Sequence, residues 1–387
     1  MTRDAFLAGA GIVKFGVHHD WSIDDLIENA YLELLDGVDK GIDPREEIDA
    51  AWFGSIDISS DAMGGTAVSN ATGLYDLPIT QVVNACATGS DAIRNAALAV
   101  RTGEVDTALV IGAEKMHEDT AGLIASAATK RLWRGRGVTM PAFFGLRATR
   151  HMADYGTTRE QIAEVSVKNH ENGSKYPYAH QRFTCTVDEV KRSPTISHPL
   201  SLYDCCPVTD GAAAVLVTSE DVVDTYTDQP VKIGATALAT GSFMRGGENS
   251  LSSFEATKNA ARTAYERAGI EASDVDVAEV HDCFSITELV TMEDLGFCEV
   301  GQAGPFIEAG ETRLDGSIPV NPSGGLLAKG HPVGATGVAQ AVEMYEQLRD
   351  EAGAIQVDDP DVGLTHNLGL DRHSTGSVCA VNVYERV

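Results

Sequence analysis

The sequence predicts an α/β protein built from two copies of one βαβ plan, with a polar segment inserted into the first copy. Three observations carry that expectation. An apolar strand, an amphipathic helix and a second strand open the chain, and the same order returns beyond residue 230. The spacing between the copies is nearly fixed, because Ile48-Asp49-Ala50-Ala51 answers Val275-Asp276-Val277-Ala278 at an offset of 227 residues. Between them lies a polar, irregular stretch over 118–206. Repetition of βαβ order implies duplicated, mostly parallel sheets covered by helices.

The elements follow in order. Residues 5–15, AFLAGAGIVKF, read as an apolar strand entering a glycine turn, 21–38 as an amphipathic helix and 47–56 as a second strand. The apolar run at 81–83 enters a tight turn carrying Cys86, and 91–101 continues with the helical spacing of Ile93, Ala97, Leu98 and Val100. The stretch 209–223 resumes the first half. Then 230–242, 253–268 and 274–284 repeat strand, helix and strand, and 338–348 has helical spacing. The expected boundaries are 1–117 (resuming at 207–228) for the first half, 118–206 for the insertion and 229–387 for the second half. A chain of 387 residues is long enough for two core-sized domains.

Composition narrows the function. Acidic residues number 57 against 29 basic ones, a formal charge of −28 that repels nucleic acid and anionic membranes. The acid is spread along the chain, so it predicts a folded, salt-adapted protein rather than a disordered tail. No apolar run reaches membrane-spanning length, and no charged-then-apolar leader opens the sequence, so the expected compartment is the cytoplasm. Seven cysteines, odd in number and irregularly spaced, fit a reducing compartment and show no zinc-type pairing.

Chemistry gathers at four places. Cys86 sits in Asn-Ala-Cys-Ala-Thr-Gly-Ser at a predicted helix N-terminus, where backbone N–H groups and the helix dipole favour a thiolate. A buried structural cysteine is the competing reading of that stretch alone. His331 lies in Gly-His-Pro-Val-Gly-Ala-Thr-Gly, whose glycines let backbone pack around one imidazole suited to take a thiol proton. His281-Asp282-Cys283-Phe284 ends one predicted strand, and His366-Asn367-Leu368-Gly369-Leu370 is expected at the end of another. Each alone reads as structural. Four polar motifs at strand ends of a duplicated frame read as one site, since ligands in such frames bind beyond the carboxyl ends of strands. Lys130, Arg131, Arg134 and Arg136 form a basic cluster in the insertion, read either as a receiver of a phosphorylated ligand or as a solvated loop.

These four motifs, in this order, resemble the thiolase superfamily over essentially the whole chain, with the archaeal and sterol-carrier-protein-like thiolases as the closest branch. The resemblance implies a five-layered αβαβα fold, a homodimer or homotetramer, and acyl transfer to and from coenzyme A. Cys86 matches the nucleophile that carries the acyl group, and His331 the histidine that activates it. Where other thiolases place a Cys-x-Gly acid/base, this chain has His366-Asn367-Leu368. The branch assigns that task to the His-Asp-Cys-Phe motif, hence Cys283, with His281 where others hold a catalytic water through Asn. Cys206, in a place where relatives more often carry a small hydroxyl residue, and Gly334 are expected at the substrate pocket. Lys130, Arg131 and Arg134 would meet the coenzyme phosphates. After His366 the chain departs from the branch, with LDRHSTGSVCAV (370–381) in place of further glycines.

The implied inventory has coenzyme A as co-substrate, no resident cofactor and no metal. Its partners are acyl-CoA substrates and a small OB-fold, zinc-ribbon protein, with no nucleic acid and no membrane. Two other readings stand beside it: a non-catalytic acyl-CoA-binding or scaffold subunit, and a ketoacyl-synthase-like condensing enzyme, against which the Gly-His-Pro and His-Asp-Cys-Phe motifs speak.

Overall fold

The computed structural model describes residues 3–56, 64–117, 139–242, 251–370 and 376–387. Its strands are β1 (Ala5–Ile12), β2 (Ala50–Gly54), β3 (Ile79–Val82), β4 (Thr107–Glu114), β5 (Thr195–Ser197), β6 (Leu200–Ser201), β7 (Gly211–Ser219), β8 (Val231–Ser242), β9 (Val277–Glu279), β10 (Val362–Leu370) and β11 (Gly376–Arg386). The short β5 and β6 pair only with each other. The rest adjoin in the order β3-β2-β4-β7-β1-β8-β11-β10-β9.

That order contains the duplication. From the central seam outward the first half runs β1-β7-β4-β2-β3, and the second runs β8-β11-β10-β9 and ends in a parallel bridge from Ala278 to Val320. The seam itself is narrow: β1 meets β8 only through Phe6 with Lys232 and Leu7 with Val231. The expectation of mostly parallel sheets is corrected. β2 is parallel to β3 and β4, and β9 to β10, but β4–β7, β7–β1, β1–β8, β8–β11 and β11–β10 are antiparallel. The last strand of each half runs back beside its neighbour, and the five residues between β10 and β11 are too few for a parallel crossover.

Alternation along β7 makes the layers. Ala212, Ala214 and Leu216 face the outer helix Ile23–Asp36, meeting its Leu26, Ile27, Ala30 and Leu34. Ala213, Val215 and Val217 face the other way, onto Ile93, Ala96 and Val100 of the helix Thr88–Thr102 and Val338, Ala341 and Val342 of the helix Val333–Leu348. Beyond the second sheet, Ala256, Ala260 and Ala264 of the helix Glu255–Ala268 pack with Ala235, Ala237, Val381 and Val383. Helix, sheet, paired central helices, sheet and helix give the five αβαβα layers.

The central helices approach closely because glycine lines their crossing. A Cβ on Gly89 would lie 2.8 Å from the Gly334 carbonyl oxygen and 3.0 Å from the Gly337 nitrogen, and one on Gly334 would lie 2.5 Å from the Gly54 oxygen. Ser90 Oγ and Gln340 both bond the Asn367 side chain, tying both helices to β10. The insertion is described from residue 139. Its helices Met140–Tyr155 and Arg159–Lys175 bury Phe144, Ala148, Ile162 and Val165 against Ile286, Leu289, Leu326 and Leu327 of the second half. Phe144 stacks on Phe284 at 4.5 Å between centroids, so the insertion rests on the loop that carries His281 and Cys283. No helix among the described residues is long and apolar enough to cross a membrane.

Candidate active site

Cys86 occupies a strained elbow. Ala85, just before it, holds φ at +50°, a backbone state costly for a residue with a Cβ and found preferentially at functional turns. Local bonds hold it there. Asn84 N–H donates to Thr88 Oγ1 at 2.8 Å, Thr88 Oγ1–H donates to the Ala85 carbonyl at 2.6 Å, and Ala87 N–H donates to the Asn84 carbonyl at 3.1 Å. Gly369 accommodates the elbow, since a Cβ there would come within 3.0 Å of the Asn84 oxygen. The Cys86 side chain is half-buried, two residues before the first turn of its helix.

His331 stands before the other central helix. Its Nδ1 lies 2.7 Å from Thr336 Oγ1, and that hydroxyl donates its hydrogen to the Pro332 carbonyl. Nδ1–H therefore donates to Thr336, which leaves the lone pair on Nε2. The helix N-terminus behind it is fixed by buried Glu114 at the end of β4, whose carboxylate accepts from Gly334 N–H at 2.8 Å and Ser55 Oγ–H at 3.0 Å.

His281 and Cys283 follow β9. Val280 N–H donates to Asn321 Oδ1, and Asp282 accepts from Leu326 N–H, Leu327 N–H and Asn169 Nδ2–H. Those bonds clamp this loop to the segment leading to His331. Burial, reinforced by Glu288, pushes the Asp282 carboxyl up to about 7. The outcome is one cluster: the Cys86 sulfur and a ring nitrogen of each of His281 and His331 all lie within 4.8 Å of one another. The two imidazoles meet edge to face with centroids 5.0 Å apart.

Burial sets the proton chemistry. His281 is depressed to about 3 by desolvation, so its ring is neutral at neutral pH. The Cys283 thiol is raised well above its ordinary value by burial, then by Cys206 and Cys86, so it rests as a thiol. Cys206 is raised for the same first reason, then by Cys205, Asp282 and Cys86, and its N–H donates to the Cys283 carbonyl at 3.1 Å. A charge on Cys86 thus raises both thiols further.

Two sequence expectations change. His366 does not end its strand. β10 runs on to Leu370 because it pairs with β11 along its whole length, His366 opposite Val381. The His366 ring is buried on the side facing the helix Glu255–Ala268, where Nδ1 accepts from His281 N–H at 3.3 Å and Nε2–H donates to Thr257 Oγ1 at 3.0 Å. With both nitrogens engaged, it is a strut behind His281. Gly334 is likewise a packing residue, enclosed by Gly54, Ser55 and Glu114, rather than part of a pocket wall. Lys130, Arg131 and Arg134 lie outside the described residues. The sequence reading missed Glu114, Thr336, Asn169 and Thr257. Only Glu114 gave a signal, as a charge closing the apolar run ALVIGA.

Five layers made of two like halves, with a thiol and two imidazoles meeting at their junction, define the class of condensing and acyl-transferring enzymes that work through a cysteine. The comparisons specify it. The family models described as "Thiolase, N-terminal domain" and "Thiolase C-terminal domain-like" match residues 7–221 and 242–380. The acetyl-CoA acetyltransferase of Methanothermobacter thermautotrophicus is 42% identical, covering 99% of this chain and 100% of that one. Human sterol carrier protein 2 is 35% identical over 99% of this chain and 72% of its own length. Among solved structures, the Ltp2-ChsH2(DUF35) aldolase shares the fold with a TM-score of 0.83 at 24% identity, covering 98% of each chain. The chain belongs to the thiolase family and is an acyltransferase of that family.

Proposed function

We propose that the chain is an acetyl-CoA C-acetyltransferase or 3-ketoacyl-CoA thiolase, forming or cleaving the C–C bond between acyl-CoA units through an acyl group on Cys86. The carrying observation is the convergence of the Cys86 sulfur with His281 and His331 within 4.8 Å. In the cleavage direction, His331 Nε2 takes the Cys86 proton and the thiolate adds to the 3-keto carbonyl. The C2–C3 bond breaks, leaving the acyl group on sulfur and releasing acetyl-CoA as its enolate. The Cys283 thiol protonates that enolate, and its high proton affinity suits a strongly basic carbon. Cys283 thiolate then takes the proton of incoming coenzyme A, whose sulfur displaces Cys86. Cys86 recovers its proton from His331. Synthesis is the same sequence reversed. Neutral His281, braced by His366, holds a water against the developing oxyanion, opposite the backbone N–H groups near Cys86.

A partner subunit is supported by the DUF35 component named with the aldolase neighbour in Ltp2-ChsH2(DUF35), and the family resemblance gives that partner as a small OB-fold, zinc-ribbon protein. A homodimer or homotetramer and a cytoplasmic setting follow from the family resemblance and the composition, with coenzyme A as co-substrate and no resident cofactor. A salt-adapted proteome follows from the charge of −28.

The test is thiolysis of acetoacetyl-CoA with coenzyme A by the full chain and by Cys86→Ser. Acyl transfer through Cys86 requires loss of at least about a thousandfold in kcat with an unchanged circular dichroism spectrum. A variant within tenfold of the parent removes the reading.

A further inference from the structure

The sequence shows no metal-binding pattern, because the three residues concerned lie 195 and 50 positions apart, at Cys86, His281 and His331. The fold nevertheless assembles one thiol and two imidazoles, each offering one donor atom, with all three atoms inside 4.8 Å of one another. Thiolate and imidazole are both ligand types that zinc takes, and zinc sites in enzymes keep a fourth position for water or another ligand. Zinc bonds of about 2.3 Å to sulfur and about 2.0–2.1 Å to nitrogen place such donors roughly 3.3–3.6 Å apart. Bringing the sulfur in from the observed limit takes about 1 Å, within reach of a rotation of the half-buried Cys86 side chain.

The surroundings favour a cation. His281 Nδ1 is buried and has no hydrogen-bond partner among the described residues. Such an atom gains more from a ligand than one already bonded. His331 carries its proton on Nδ1, toward Thr336, in the tautomer that presents a lone pair at Nε2. The His281 backbone N–H donates to His366 Nδ1, which fixes the loop that carries the imidazole.

We infer that Cys86, His281 and His331 form a site for a thiophilic divalent cation, zinc first, which holds the enzyme in a reversible, acyl-free resting state. Binding replaces the S–H bond of Cys86 with a sulfur–metal bond and releases one proton to solvent, with no change of oxidation state. The fourth position is open to water or to the thiolate of a coenzyme. An acyl group on Cys86 removes the sulfur's capacity to coordinate, so substrate and metal exclude each other. This goes beyond the acyl-transfer reading and does not depend on the identity of the acyl chain.

The experiment titrates the full chain, free of substrate, with Co²⁺ as a visible probe and with Zn²⁺ in competition. The expected result is one equivalent bound, sulfur-to-cobalt charge-transfer absorption, and its displacement by Zn²⁺. Cys86→Ser should lose the sulfur band, and His281→Asn should bind at least tenfold more weakly. Cys206→Ser should keep the band. Zn²⁺ should also slow alkylation of Cys86 by iodoacetamide at least tenfold, read by mass spectrometry. Absence of the band in the parent overturns the inference, as does its persistence in Cys86→Ser or its loss in Cys206→Ser. Should Cys86→Ser fail to fold, His281→Asn and the alkylation rate decide. Thiolysis of acetoacetyl-CoA on the metal-free sample is a separate readout: an active enzyme that binds no metal overturns this inference alone, and an inactive one that binds it overturns only the acyl-transfer reading.

Discussion

Gly89 and Gly334 touch backbone to backbone, with only 2.8 Å between an added Cβ on Gly89 and the Gly334 carbonyl oxygen. That contact sets how near the two central helices come, and those helices carry Cys86 and His331 at their beginnings. Gly89→Ala should therefore act twice. It should destabilise the fold by about 1–3 kcal/mol, the usual cost of overpacking a tight interior. It should also lower kcat by at least tenfold by spreading the helix ends. Urea unfolding with an unchanged slope, set beside thiolysis kinetics, checks both. A variant of parental stability and rate would mean that the crossing has room to spare.

Much of this geometry was legible in the residues and some was not. The repeat offset of Ile48 and Val275 announced the duplication, and Gly-His-Pro and the Cys86 turn announced themselves through glycine and chemistry. Strand direction was hidden, because an apolar run such as GAAAVLVTS reads alike in parallel and antiparallel neighbours. The standing of His366 was hidden too. Its strand continues past it only because β11 pairs alongside, a contact fixed by tertiary structure. Thr257 and Asn169 are ordinary polar residues on helices, and nothing local shows that they reach across layers to His366 and Asp282.

Cys283 and His366 are the two candidates for the second acid/base, and their surroundings differ. The Cys283 thiol is raised by burial and then by Cys206 and Cys86, whereas both His366 nitrogens are already bonded. Cys283→Ala should form acyl-enzyme from acetyl-CoA at a rate within tenfold of the parent, yet lose about 10²–10⁴ in condensation. Rapid-quench trapping of labelled acyl-Cys86, beside steady-state condensation, reads the two steps apart. Normal condensation would move the proton to another group.

The charge makes a prediction that involves no site residue. With 57 acidic and 29 basic residues, repulsion outweighs attraction on this surface. Pairs such as Arg386 with Asp359 are too exposed to offset it, the aspartate side chain being 88% accessible. Raising KCl shortens the screening length from about 10 Å at 0.1 M to about 3 Å at 1 M. The thermal midpoint should climb steadily over that range by several degrees. A flat or falling midpoint would show that the acidic surface is not an adaptation to salt.

Glu346 ties stability to pH. It lies on the helix Val333–Leu348, accepts a hydrogen bond from the Tyr176 hydroxyl at 3.5 Å, and is pushed up to about 7 by burial. In the unfolded chain a glutamate titrates near ~4.3. Between those values the native state holds the proton more tightly, so stability falls as pH rises. The contribution is complete below the unfolded value and lost once pH passes the folded one. Glu343 on the same helix is raised in the same direction, while nearby Lys329 opposes the shift at both carboxyls. Depressed His281 has the opposite slope, losing stability as pH falls from about 6.5 toward about 3. It is present in parent and variant alike and cancels from their difference. Glu346→Gln keeps the shape and removes the titration. Its stability relative to the parent should climb from pH 5, flatten above about pH 7 and have gained about 1–3 kcal/mol by pH 8, as a shift of this size implies. Urea midpoints at pH 5, 6, 7 and 8 follow that difference. A difference independent of pH would place the Glu346 carboxylate in water, where its charge costs nothing.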